Sequence, residues 1–205
     1  MSRDVFPQPR QVPRDRDGAR GAFAPVLWLL GLMWLIEVVD LVLPADLDRY
    51  GIRARDAEGL TGIALSPLLH HGFGHLLANS LPFLVLGALV AVGGRRRFWE
   101  ATLIITIVGG LGTWLISPEN SVTVGVSGVV FGYLTYLLAR ALIARRAVDV
   151  IVAVVVLFLY GTLLVGVLPG VPGVSWQAHL MGAGAGIVAA RRLSAGRRAD
   201  QAFSR

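Results

Sequence analysis

Apolar residues in this chain come in long blocks, separated by short polar stretches rich in arginine. A helix that crosses a bilayer needs about 20 mostly apolar residues. Six blocks approach or reach that length, at about 22–43, 75–92, 98–116, 126–143, 148–168 and 177–190. The last is short, and so is the fourth if its start is buried. The pattern predicts an all-α membrane protein built as a bundle of six spans. The 205 residues divide into a polar, proline-bearing tail over 1–21, read as disordered, a six-helix domain over 22–192 and a basic tail over 193–205. The first tail has no apolar core ending at a small-residue cleavage site, so it does not read as a removable signal.

Charge placement orients the bundle. All 19 basic residues are arginine. Sixteen of them lie in the first tail, in Arg95–Arg97, in Arg140, Arg145 and Arg146, and from Arg191 to the end of the chain. The other three, Arg49, Arg53 and Arg55, share the first long link with Asp46, Asp48, Asp56 and Glu58. Arginine accumulates on the cytoplasmic side of membrane proteins, so both termini are expected there. Composition agrees: 55% of the residues are apolar and only 16% charged, against about 25% charged in a soluble domain. A net charge of +6 held in clusters between spans points to a lipid bilayer as partner and not to nucleic acid. With no cysteine, disulfides, thiolate nucleophiles and cysteine-ligated metals are excluded.

Polar groups inside such spans are costly and mark candidate sites. The informative ones are His75, Asn79, Ser127 and His179. They open the second, fourth and sixth spans, which all run from outside to inside. All four therefore belong at one depth, about a turn below the outer surface. His75 and Asn79, four residues apart, share a helix face. Gly128 with Gly132, and Gly182 with Gly186, are small-residue pairs of the kind that lets membrane helices approach closely. Close packing there would let Ser127 meet His179.

A serine hydroxyl becomes a nucleophile when an adjacent base takes its proton, and His179 is the candidate base. No carboxylate opens an even-numbered span, which leaves a Ser–His dyad. The backbone N–H of Ser127, the Asn79 amide and a His75 ring N–H are candidate donors to an oxyanion. Taken singly, each has a plainer reading: Ser127 as a helix cap, His179 as an interfacial residue, Asn79 as a bond to a neighbouring helix. Glu37 and Asp40, in the outer half of the first span, are expected to pair with an arginine of the first link such as Arg53. Arg140 is expected to snorkel to the cytoplasmic surface, and the tryptophans to anchor the span ends. Gly125-Val126-Ser127-Gly128-Val129 is not a nucleophile elbow, which needs glycine where Val129 stands.

Three elements in order resemble the rhomboid intramembrane serine proteases. His75-Leu76-Leu77-Ala78-Asn79 resembles the family's HxxxN, and Gly125-Val126-Ser127-Gly128 its GxSG. Ala178-His179-Leu180-Met181-Gly182 with Gly186 resembles its AHxxGxxxG. The resemblance, over about 22–192, implies Ser127 as nucleophile, His179 as base, and His75, Asn79 and the Ser127 amide as oxyanion ligands. It also implies a water-filled cavity open to the outer side, transmembrane protein substrates, no cofactor and a bacterial-type plasma membrane. Phe131 stands where relatives often carry a tyrosine that stacks on the histidine. Leu60-Thr61-Gly62-Ile63 stands where relatives often carry a Trp-Arg pair. His70 falls where a histidine often orders the first external loop. Two other readings remain open: a non-catalytic relative that binds client helices, and a metal site or transporter built on the external histidines. The second lacks the HExxH of a metalloprotease, and no metal is expected.

Overall fold

The computed structural model describes residues 19–43 and 46–203, with side chains over 21–43 and 46–195. Most of the expected 1–21 tail lies outside the described residues. Among the described residues, six long helices are present: α1 (Ala19–Val42), α2 (Gly72–Ala91), α3 (Arg95–Ile116), α4 (Ser127–Ala144), α5 (Ala147–Tyr160) and α6 (Trp176–Phe203). Among the described residues, α1 to α4 and α5 with its continuation to Val167 are long and apolar enough to cross a membrane. The sixth is a continuous helix, but its apolar stretch ends at Arg191 and Arg192. It then runs as helix to Phe203, through most of the segment expected to be a separate tail.

Burial ranks the helices. Half of α4 is buried, against 6% of the span that contains α5. So α4 is the central post and α5 a peripheral helix, with Phe158 and Ile151 facing outward. Tyr133, Phe83, Phe98, Met33 and Leu86 form the core around α4. In lipid there is little hydrophobic force between helices, so close approach and interhelical hydrogen bonds decide which helices pair. Here α4 and α6 meet backbone to backbone. A Cβ added at Gly182 would collide with the Gly128 carbonyl, and one at Gly186 with the Gly132 carbonyl. The Thr135 hydroxyl donates to Ala183 O at 2.7 Å across the same seam. A π-helical turn, Ile105–Gly109, interrupts α3 and brings Gly109 against Gly182.

Hydrogen bonds and one ion pair fix the other contacts. Trp34 Nε1 donates to Ser80 Oγ between α1 and α2 at 3.1 Å, and Thr102 and Tyr133 share a bond of 2.7 Å between α3 and α4. Arg140 does not snorkel: its guanidinium meets Asp149 at 2.7 Å, with both side chains largely buried between α4 and α5. A nearby carboxylate competes successfully with the membrane surface. Trp114 Nε1 donates to Asp56 O of the first link at 2.9 Å.

The first link is ordered. Strand β1 (Ile52–Arg53) pairs antiparallel with β2 (Val122–Thr123), with Ile52 opposite Thr123. Arg53 turns to Glu58 at 2.7 Å and Asp56 at 3.5 Å, partners within its own loop. Glu37 and Asp40 therefore do not pair with it. Asp40 accepts the Leu47 N–H at 2.8 Å, and Glu37 is buried.

Candidate functional site

The starts of α2, α4 and α6 converge on one end of the bundle. Ser127 is the first residue of α4. Its hydroxyl does not cap its own helix but bonds His179 Nε2 at 3.0 Å. Three features produce that contact. The glycine seam draws α6 onto α4. Ser175 Oγ accepts the Ala178 N–H at 3.3 Å at the start of α6, which fixes the turn that carries His179. Phe131 lies flat on the imidazole, with centroids 4.0 Å apart and planes 10° from parallel. The ring therefore has a fixed plane as well as a fixed position.

The second ring nitrogen sets the tautomer. His179 Nδ1 lies 2.9 Å from Gly166 O. A carbonyl only accepts, so Nδ1 carries the proton. Nε2 then presents its lone pair to the Ser127 hydroxyl, as a general base must.

Facing the pair are the two α2 residues. The Asn79 amide donates to His75 O at 3.0 Å and keeps a second N–H toward the cavity. His75 Nδ1 accepts the His71 N–H at 3.4 Å, which leaves the ring proton on Nε2. That nitrogen abuts Gly125, where an added Cβ would lie 3.0 Å from it and 2.7 Å from Cε1. Gly125 also has φ +110°, a conformation that favours glycine. The glycine thus admits His75 to the approach to Ser127. Its neighbours are stitched to the first loop. Gly125 N–H donates to Ser66 O at 2.8 Å, and Val126 N–H to His70 Nε2 at 3.4 Å.

Ser127, His179, His75, Asn79 and Phe131 line one open cavity of about 280 Å³. A single water needs about 10–15 Å³, so the space has room for several waters. Gly128, Gly182 and Gly186 lie behind it, in the helix seam. The His70 imidazole is buried beneath the loop; burial first, then the neighbouring His75, press it down to about 4. At the rim, His71 Nδ1 meets Asp48 at 2.6 Å. Burial raises the Asp48 carboxyl, and His71 opposes that. Among the described residues, no group of three or more His, Cys, Asp or Glu could hold a metal ion.

Two members of this arrangement are missing from the sequence reading. Gly166 acts through its backbone carbonyl, which no residue type advertises. The His71–Asp48 contact joins positions 23 apart across the first link, and nothing in their spacing announces it.

The chain belongs to the rhomboid family: residues 57–196 match its Rhomboid domain. An uncharacterized protein of Mycobacterium tuberculosis is 45% identical over 188 residues, covering 88% of this chain and 78% of that protein. One from Mycobacterium leprae is 43% identical over 186 residues, covering 87% and 74%. Rhomboid-like protein 11, chloroplastic, of Arabidopsis thaliana is 36% identical over 64 residues, covering 31% of this chain and 23% of its own.

Proposed function

We propose that this protein is an intramembrane serine protease that hydrolyses peptide bonds in or near the transmembrane segments of other membrane proteins. In this reading all six helices span the bilayer and both termini are cytoplasmic. The cavity faces the outer side of a bacterial-type plasma membrane. The observation that carries it is the 3.0 Å contact between Ser127 Oγ and a His179 Nε2 free of its proton.

The chemistry follows from those two atoms. Ser127 Oγ attacks the scissile carbonyl carbon while its proton passes to His179 Nε2. The oxyanion that forms is held by the Ser127 N–H, the Asn79 amide and the His75 Nε2–H. Collapse breaks the C–N bond, and His179 returns the proton to the departing amine. Water from the cavity then attacks the acyl-enzyme, again giving its proton to His179. The new carboxyl end leaves, and Ser127 recovers its proton. The arrangement needs no cofactor.

The test is cleavage of a model transmembrane substrate by purified protein, alongside labelling by a fluorophosphonate probe. Ser127→Ala and His179→Ala are each expected to lower cleavage by at least about 10⁴-fold, with Ser127→Ala also unlabelled and both variants expressed normally. Near-wild-type cleavage by Ser127→Ala would overturn the proposal. Absence of labelling and of cleavage in the wild type would favour a binding protein for client helices.

A further inference from the structure

Among the described residues, the His179 ring has two hydrogen-bond partners, Ser127 Oγ and Gly166 O. The second comes from a run of 3₁₀ helix, Gly161–Val167, that continues α5. A 3₁₀ carbonyl is normally taken by the N–H three residues on. Here Val165 O accepts from Leu168 N–H at 3.0 Å, the last such bond. The next carbonyl, Gly166 O, would need an N–H at position 169, and that residue is proline. The run therefore ends with one carbonyl unclaimed by its own backbone, and His179 Nδ1 lies against it.

Space makes the position exacting. A Cβ on residue 166 would lie 3.0 Å from Phe131 Cζ and 3.1 Å from His179 Nδ1. Glycine is therefore what lets this strand of backbone reach the ring. The run itself buries no residue. It continues a peripheral helix, which the Arg140–Asp149 pair ties to α4 at its far end.

We propose that the Gly166 carbonyl is the positioning group of the base: it holds His179 in the Nδ1–H tautomer, so seating of the 161–167 run against the imidazole governs whether Nε2 can accept the serine proton. This rests on the protease reading given above. A carboxylate in this role would be a side chain fixed by the core. A carbonyl on a lightly packed run ties the competence of the base to the position of α5. When the run is unseated, Nδ1 loses its acceptor and the neutral ring is free to carry its proton on Nε2, where it cannot accept one from Ser127.

The measurement is ¹⁵N NMR of the full chain in detergent micelles, labelled at histidine, at a pH where His179 is neutral. His179→Gln assigns the signals. The wild type is expected to show an unprotonated Nε2 and a protonated Nδ1 at His179. Gly166→Val is expected to move that population toward Nε2–H. It should lower kcat about 10–100-fold, the scale of an ångström-sized misplacement, leave KM within a few-fold and displace the pH–rate profile. Gly166→Ala should give the same changes in weaker form. A wild-type His179 protonated on Nε2, or a folded Gly166→Val with unchanged tautomer and kcat, would overturn the proposal. If Gly166→Val fails to fold, the wild-type tautomer and Gly166→Ala decide it. The tautomer signal does not depend on turnover. Loss of the protease reading (an active Ser127→Ala) is therefore distinguishable from loss of this one.

Discussion

His70 offers a direct test of how the first loop is joined to the chain leading into Ser127. Its ring is 1% exposed, its Nε2 accepts the Val126 N–H, and the His75 ring meets it edge-on at 5.2 Å. Burial and then His75 hold its pKa at about 4, against 6.5 in an unfolded chain. Between those values the unfolded state binds the extra proton, so stability falls as pH falls. The contribution is fully present above 6.5 and gone below about 4. At about 1.4 kcal/mol per pH unit, the gap amounts to about 3 kcal/mol. Protonation also removes the acceptor for Val126 N–H, one residue before Ser127. The assay is denaturant unfolding of detergent-solubilised protein at intervals from pH 7.5 to 4, for wild type and His70→Asn. The variant lacks only the ring at position 70, so the difference between the two curves reports on His70. The wild type should lose up to about 3 kcal/mol more than the variant over that range. Parallel curves would refute the reasoning.

Other substitutions probe the framework around the site. Gly182→Ala places a Cβ against the Gly128 carbonyl, an overpacking that should cost about 1–3 kcal/mol in unfolding experiments. Because His179 lies three residues away on the same helix, cleavage should fall at least about tenfold, the order of loss expected when a base is displaced by a fraction of an ångström. Arg140→Met leaves Asp149 buried without its partner and should destabilise by about 3–5 kcal/mol, whereas Arg140→Met with Asp149→Leu should recover most of that loss. Equal unfolding midpoints for the single and double variants would show that the ion pair does not join α4 to α5.

The helices and the residues at their starts were legible because each left a mark of residue type. Apolar runs mark the spans, glycines at i and i+4 mark the α4–α6 seam, and Ser127 and His179 are chemically conspicuous in apolar surroundings. Less was legible where position alone decides. Arg53 could pair with any nearby acid, and the fold of its loop chose Glu58 over Glu37 or Asp40. Arg140 reads as a snorkelling residue until Asp149 is brought to 2.7 Å by the turn between α4 and α5. The π-helical turn in α3 and the 3₁₀ end of the fifth span are local adjustments to packing, with no periodicity to announce them. Gly166 is the limiting case, since its contribution is an atom that every residue possesses.

The pairing of β1 with β2 has a mechanical consequence. Together with the bonds from Gly125 to Ser66 and from Val126 to His70, it welds the first loop to the stretch of chain leading into Ser127. One jamb of the cleft is therefore fixed. The opposite jamb is the 168–175 stretch, with Gly170 and Gly173 at positive φ, Leu168 and Val171 exposed, and Val174 lining the cavity. Widening the cleft at the fixed jamb would therefore move Ser127 as well.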